Sequence, residues 1–194
     1  MLPIRNKILK HICRTLHQRQ RLSEEASPFA AGGERRVWLC RRNGGGLELV
    51  LKDVTISIQG TQEVDGEENA IEMVASGTLC VSPEEFVLEY DEKDEDDVVS
   101  RTTLTVDHEG TATLQRDGPR GSRMMIQRGR RHLCHYDTAF GVLMIGVFGE
   151  QVAHNMTDSG GELYMRYTID INSAMQSRNE VKITVKESKT QCLN

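Results

Sequence analysis

Apolar and polar residues alternate position by position through most of the sequence from Leu51 to Glu187. Successive side chains of a β-strand point to opposite faces, so each alternating run predicts a strand with one buried face. No segment in this part has the spacing of a convincing helix. The apolar members of these runs are Val54, Ile56, Ile58; Ile71, Met73, Ala75; Phe86, Leu88, Tyr90; Leu104, Val106; Ala112, Leu114; Leu163, Met165, Tyr167, Ile169, Ile171; and Val181, Ile183, Val185.

The segments between these runs are short and rich in turn residues, such as Asp65-Gly66, Ser82-Pro83 and Asn172-Ser173. Parallel neighbours need crossovers of roughly a dozen residues or more, so short turns predict antiparallel pairing. About nine or ten consecutive antiparallel strands fit a meander that closes into a barrel, because closure removes the exposed sheet edges. The predicted fold class is therefore an all-β closed barrel over residues 51–187, followed by a tail at 188–194.

The most apolar run extends from Cys134 to Phe148, interrupted at Ala139-Phe140-Gly141. It predicts a strand, a turn and a central strand that bends at Gly146. The second strand is apolar at both parities, so its outer face predicts a contact with a second copy, with Ile145 expected on that outer face.

Size and cysteine usage restrict the class of protein. The 194 residues, 38% of them hydrophobic, suit one domain with a substantial core. The five cysteines are odd in number and show no paired spacing, which favours free thiols in the cytoplasm over a disulfide framework. No run has the roughly 18 apolar residues of a membrane span.

The first segment of the chain differs from the rest in charge and composition. Residues 1–46 hold ten Lys or Arg and three Asp or Glu, and the remainder carries 14 − 26 = −12. The start has a weak basic amphipathic helical pattern, and residues 23–46 resemble a linker. Residues 1–49 are therefore expected to be a basic arm, or the product of upstream translation if the native start is Val50 or Leu51.

Several short motifs occur in an order that resembles the YwiB-like bacterial family, a domain of unknown function. They are Val54-Thr55-Ile56-Ser57-Ile58-Gln59-Gly60-Thr61-Gln62, Tyr90 before an acidic loop, Arg101-Thr102-Thr103-Leu104, Leu114-Gln115-Arg116-Asp117-Gly118, Tyr136-Asp137-Thr138-Ala139-Phe140-Gly141 and Leu163-Tyr164-Met165-Arg166-Tyr167. The resemblance covers about Leu51 to Glu187, with Phe140 where the family usually has Tyr. It implies a lipocalin-like (calycin) barrel and no known activity.

Polar residues at core parity form the candidate binding site. Arg116 continues the parity of Ala112 and Leu114, and a buried charge requires a partner or water. In one interpretation the residues line a cavity that binds a small, partly apolar or anionic ligand, as barrels of about eight strands can. In the other, Arg116 belongs to an internal network with a carboxylate and tyrosine hydroxyls, and the protein is a structural or interaction module. The candidate site residues are Tyr90, Arg116, Tyr136, Thr138 and Tyr167.

A second candidate is an arginine patch without intervening acids, suited to phosphate or carboxylate. The absence of interleaved aromatic residues argues against nucleic acid. Its members are Arg120, Arg123, Arg128, Arg130 and Arg131.

Other chemistry finds little support in the sequence. His132 and His135 lie three residues apart on a strand, on opposite faces, so a shared metal ion is not expected. No nucleophile-and-base order or phosphate-binding loop is present, so no catalytic residue and no cofactor is predicted. The run from Asp91 to Asp97 is expected to be a solvated hairpin loop.

Overall fold

The computed structural model describes residues 51–93, 99–117, 121–138 and 141–188, and within them the side chains at 93, 136–138 and 141–142 are not described. Ten strands make up the described chain, and it contains no helix. The predictions for residues 1–49 and for the tail after residue 188 lie outside this part of the chain. The strands are β1 (Lys52–Val64), β2 (Glu67–Val81), β3 (Glu85–Lys93), β4 (Val99–Asp107), β5 (Thr111–Asp117), β6 (Ser122–Gln127), β7 (Arg131–Thr138), β8 (Gly141–His154), β9 (Gly160–Ile171) and β10 (Ala174–Glu187).

Each strand pairs antiparallel with its sequence neighbours, and β10 pairs with β1, which closes the sheet into a barrel. The predicted all-β antiparallel meander barrel is therefore confirmed. The alternating runs all lie in strands, but β6 was not predicted. Its inward residues Met124 and Ile126 are separated by the apolar Met125, which hides the period of two.

Turn chemistry fixes the register of the two hairpins that flank the barrel closure. Asp65 and Gly66 have φ of 52° and 82° and connect β1 directly to β2. Asn172 and Ser173, at φ 53° and 63°, do the same between β9 and β10. Positive φ at both central residues matches the twist of tight hairpins, which explains why these dipeptides predicted the turns correctly.

Apolar side chains of one parity fill the barrel interior. We call the end at which the odd-numbered strands finish the upper end, and the opposite end the lower end. Leu79, Leu88 and Leu104 lie toward the lower end and are 1%, 0% and 0% exposed. Burial of such side chains is worth roughly 1.5–3 kcal/mol each, so the lower half supplies much of the folding free energy.

The wall between β2 and β3 is incomplete toward the upper end. β2 pairs with β1 from Glu67 to Leu79, but its register with β3 extends only from Gly77 to Val81. Beyond Gly77, residues 67–75 of β2 have no partner strand on the β3 side among the described residues. Among the described residues, the wall is thus continuous toward the lower end and has a gap between β2 and β3 toward the upper end.

Strand β8 corrects two expectations from its sequence. Its ladder with β7 continues through Gly146, and the irregularity lies between Gly149 and Gln151 in the pairing with β9. Ile145, expected outside, is 3% exposed and faces the core. A strand that is apolar at both parities gives no periodic signal for its buried face, so the sequence could not fix its orientation.

Candidate functional site

Three polar residues of the barrel interior lie side by side on adjacent strands. Tyr90 on β3 is opposite Thr102 on β4, and Thr102 is opposite Arg116 on β5. Directly paired residues share one face of an antiparallel sheet. The row belongs to the interior face, because Tyr90 is 5% exposed and Thr102 is 0% exposed.

Glu92 brings an opposite charge to this row. Its Oε2 atom accepts a hydrogen bond from Nη2 of Arg116 at 2.5 Å, and it also interacts with the Tyr90 hydroxyl. The pKa of Tyr90 is raised well above its usual range, first by burial and then by the negative charge of Glu92. Tyr90 therefore stays protonated and serves as a hydrogen-bond donor to the carboxylate. We call Tyr90, Glu92, Thr102 and Arg116 the arginine cluster.

Solvent reaches part of the arginine cluster, and two of its polar atoms make no hydrogen bond to a described residue. The side chains of Arg116 and Glu92 are 15% and 17% exposed, so water reaches the ion pair from the upper end. The Nε atom of Arg116 and the hydroxyl of Thr102 are buried and have no hydrogen-bond partner among the described residues. Unpaired buried polar groups cost roughly 1–3 kcal/mol each, so this arrangement favours an additional polar partner.

A second polar group lies on another wall of the barrel. Gln62 on β1 donates from Nε2 to Oδ1 of Asn179 at 2.9 Å, and Asn179 donates from Nδ2 to Oγ of Ser177 at 3.0 Å. Tyr167 pairs laterally with Asn179, and burial raises its pKa to about 12. Tyr167 thus lies beside the polar group of Gln62, Asn179 and Ser177, and not in the row of Tyr90 and Arg116.

Inward apolar side chains between these polar groups are partly exposed. Ile58 lies opposite Met73 and Ile183, and Met73 and Ala75 face the core from the part of β2 that lacks β3. These side chains lie in the middle of their strands and are only partly buried, whereas the inward side chains toward the lower end are fully buried. Solvent therefore reaches part of the inner surface of the barrel. The other partly buried inward residues include Leu114, Met124, Leu143 and Val181.

For the remaining candidate residues of the interior, the structure describes the backbone but not the side chains. Tyr136 and Thr138 belong to β7, where Tyr136 pairs with Ser122 and Leu143, but their side chains are not described. Ser122 in turn pairs with Arg116, so the backbone of Tyr136 continues the row of the arginine cluster.

Four of the five arginines predicted as a patch are described, and all four are exposed. Arg131 makes two hydrogen bonds to Asp170, at 2.7 and 2.6 Å, which occupy its guanidinium. Arg123 and Arg128 are exposed but lie five residues apart along an extended segment, or about 16 Å. Arg130 lies in the β6–β7 turn, and Arg120 lies outside the described residues.

The structure gives the two histidines of β7 different surroundings. His132 is half-buried, with Nε2 at 3.1 Å from Oε1 of Gln127, whereas His135 is exposed. Across the described ranges, no three His, Cys, Asp or Glu side chains are grouped as metal ligands. The described residues also include no helix that is long and apolar enough to cross a membrane.

The fold and this site define a ten-stranded antiparallel β-barrel with a polar, water-accessible upper interior. Residues 56–183 match the family described as a domain of unknown function, DUF1934, and the chain belongs to that family. The chain is also similar to the crystal structure of ywiB protein from Bacillus subtilis, with 18% identity, a TM-score of 0.65 and coverage of 72% of this chain and 95% of that chain. At that identity the similarity concerns the fold alone. Comparison with curated proteins gave no match.

Sequence reasoning missed Glu92, Thr102 and Gln62. The acidic run predicts a solvated loop for Glu92, but Glu92 is the penultimate residue of β3 and continues the parity of Phe86, Leu88 and Tyr90. Gln62 likewise continues the inward parity of β1. Extending the apolar run of β3 by one inward position finds Glu92, and extending that of β1 by two, past Gly60, finds Gln62.

Proposed function

We propose that this protein binds a small, partly apolar ligand in the upper interior of its barrel, without catalysing a reaction. The observation that carries the proposal is the partial exposure of inward apolar side chains next to the arginine cluster. Binding sites for small molecules typically combine an apolar lining with a few polar groups that orient the ligand. Because its cysteines are scattered and unpaired in spacing, we place this activity in the bacterial cytoplasm.

The ion pair restricts the chemistry of the ligand. Glu92 already neutralises Arg116, so the feature left for a ligand is the Nε atom of Arg116, which has no acceptor among the described residues. A carboxylate or phosphate ester would satisfy this need, because charge-assisted hydrogen bonds are about twice as strong as neutral ones. An anionic group would meet Glu92 at short range unless that carboxylate moves toward the solvent. Ligands with an apolar body and a compact anionic head therefore fit the site when Glu92 turns toward the solvent.

Native mass spectrometry of the protein, before and after organic extraction, tests the proposal. The wild type should retain a small molecule, or should take one up from a panel of apolar carboxylates and phosphate esters. Arg116→Met should lose it. Arg101→Met is a matched control, because Arg101 lies on the outer face and pairs with Asp91 in solvent. Equal retention by wild type and Arg116→Met, or no uptake by the wild type, would refute the binding function.

A second candidate function is assembly of two copies through the outer face of β7 and β8. Leu133, Met144 and Phe148 are 62%, 42% and 39% exposed, and they lie on neighbouring outward positions around Gly146. Grouped exposed apolar side chains favour a protein contact. If this face joins two copies, Phe148→Glu should convert a sedimenting dimer into a folded monomer, whereas Val74→Glu should not. A monomeric wild type would exclude this candidate.

A further inference from the structure

Toward the upper end, the β3 side of β2 has no partner strand among the described residues. This edge is separate from the proposed small-molecule site. Residues 67–75 pair with β1 on one side, whereas β3 begins its register with β2 only at Gly77. We call residues 67–75 the free edge. An unpaired strand edge presents backbone donors and acceptors to any extended chain, which is why proteins usually cover or interrupt such edges.

The direction of the unused hydrogen-bonding groups follows from the hairpin. The turn at Asp65-Gly66 leaves Val64 and Glu67 as the closing pair, which is hydrogen-bonded in two-residue hairpins. Hydrogen-bonded and non-hydrogen-bonded pairs then alternate along the ladder. The odd-numbered residues of β2 therefore direct their N–H and C=O groups to β1. Those of Glu68, Ala70, Glu72 and Val74 point toward the side that lacks β3.

Side chains on the two faces of the free edge have different chemistry. Ile71, Met73 and Ala75 face the interior and are partly buried, so an added strand could place apolar side chains beside them. Glu68 and Glu72 point outward and are exposed, four residues apart on the same face. No hydrogen bond or ion pair joins either carboxylate to a described residue.

We propose that the free edge binds an extended peptide that alternates apolar residues with lysine or arginine, adding it as a strand next to β2. In this mode of recognition the backbone supplies affinity and alternate side chains supply specificity. The basic residues would lie across from Glu68 and Glu72, where opposite charges are favourable. Pairing with a second copy of β2 is disfavoured, since it would gather four carboxylates on one face without a cation.

Fluorescence anisotropy with three labelled synthetic peptides tests this inference. The first peptide alternates valine with lysine and threonine, the second has the same composition with its valines grouped, and the third has glutamate in place of lysine. Only the first should bind. Val74→Pro removes an edge N–H without removing a bond to β1, and should weaken binding at least about tenfold. Val74→Thr, which keeps the N–H, should bind as the wild type does.

A charge exchange tests the same inference if Val74→Pro does not fold. The double variant Glu68→Lys with Glu72→Lys should lose the lysine peptide and bind the glutamate peptide. The proposal is overturned if the grouped peptide binds as well as the alternating one, or if neither Val74→Pro nor the charge exchange changes the affinity. A dimer of the wild type that Val74→Pro abolishes would instead assign the edge to a second copy. None of these outcomes depends on Arg116, so they leave the test of the small-molecule site separate.

Discussion

Removing the positive charge of the arginine cluster should destabilise the barrel, and removing both charges should restore it. Arg116→Met leaves Glu92 at 17% exposure without its cation. Breaking a fully buried pair costs about 3–5 kcal/mol, and water at the upper end reduces that, so we expect about 2–3 kcal/mol. In a domain of this size the melting temperature should fall by roughly 3 °C for each kcal/mol.

The double variant Arg116→Met with Glu92→Leu supplies the decisive comparison. Replacing a whole buried ion pair by apolar residues is often neutral or stabilising, so the double variant should regain most of the lost stability. Arg101→Met, which breaks an exposed pair, should change the free energy of unfolding by less than about 1 kcal/mol. Urea denaturation of the four proteins measures these differences. A double variant as unstable as Arg116→Met would refute the view that the unpaired carboxylate of Glu92 causes the loss of stability.

Three further predictions concern single groups. Burial raises the pKa of Tyr167 to about 12, above an ordinary value of about 10. The contribution of Tyr167 to the free energy of unfolding is therefore complete below pH 10 and is lost as the pH rises through 12. Urea denaturation should show a loss of about 1.4 kcal/mol near pH 11 that is absent in Tyr167→Phe. The hydrogen bond from Arg131 holds the pKa of Asp170 below its usual value, so its contribution is present above that value and is lost in stronger acid; Asp170→Asn should flatten the acid limb of the stability profile. Gly77→Ala places a Cβ against the carbonyl oxygen of Glu89 and should cost about 1–3 kcal/mol in urea denaturation, more than Gly60→Ala, whose Cβ meets its nearest atom at 3.2 Å.

The fold could be predicted because alternation and turn residues are local signals. Asp65-Gly66 and Asn172-Ser173 determine hairpins within a few residues, and strands joined by such hairpins must be antiparallel. Ile145 shows the limit of this approach. Its strand is apolar on both faces, so only the pairing with β7 and β9 decides which side is buried.

The site was predictable only in part, because parity gives the face of a side chain but not its neighbours. Parity placed Tyr90, Arg116 and Tyr167 inside the barrel, as the structure shows. The partners depend on lateral register, which joins Arg116 to Thr102 and Tyr90 but Tyr167 to Asn179. The point at which β2 separates from β3 is likewise set by register, so it could not be predicted from the alternation of residues.

A titration with anilinonaphthalene sulfonate tests the central claim, an interior that admits a partly apolar anion, most directly. Ala75 faces the interior and Ser76 faces solvent, so Ala75→Leu narrows the upper interior while Ser76→Leu adds the same side chain outside. The wild type and Ser76→Leu should bind one dye per chain with equal affinity, and Ala75→Leu should bind it at least about tenfold more weakly. Equal binding by all three folded proteins, or no saturable binding by the wild type, would contradict the account.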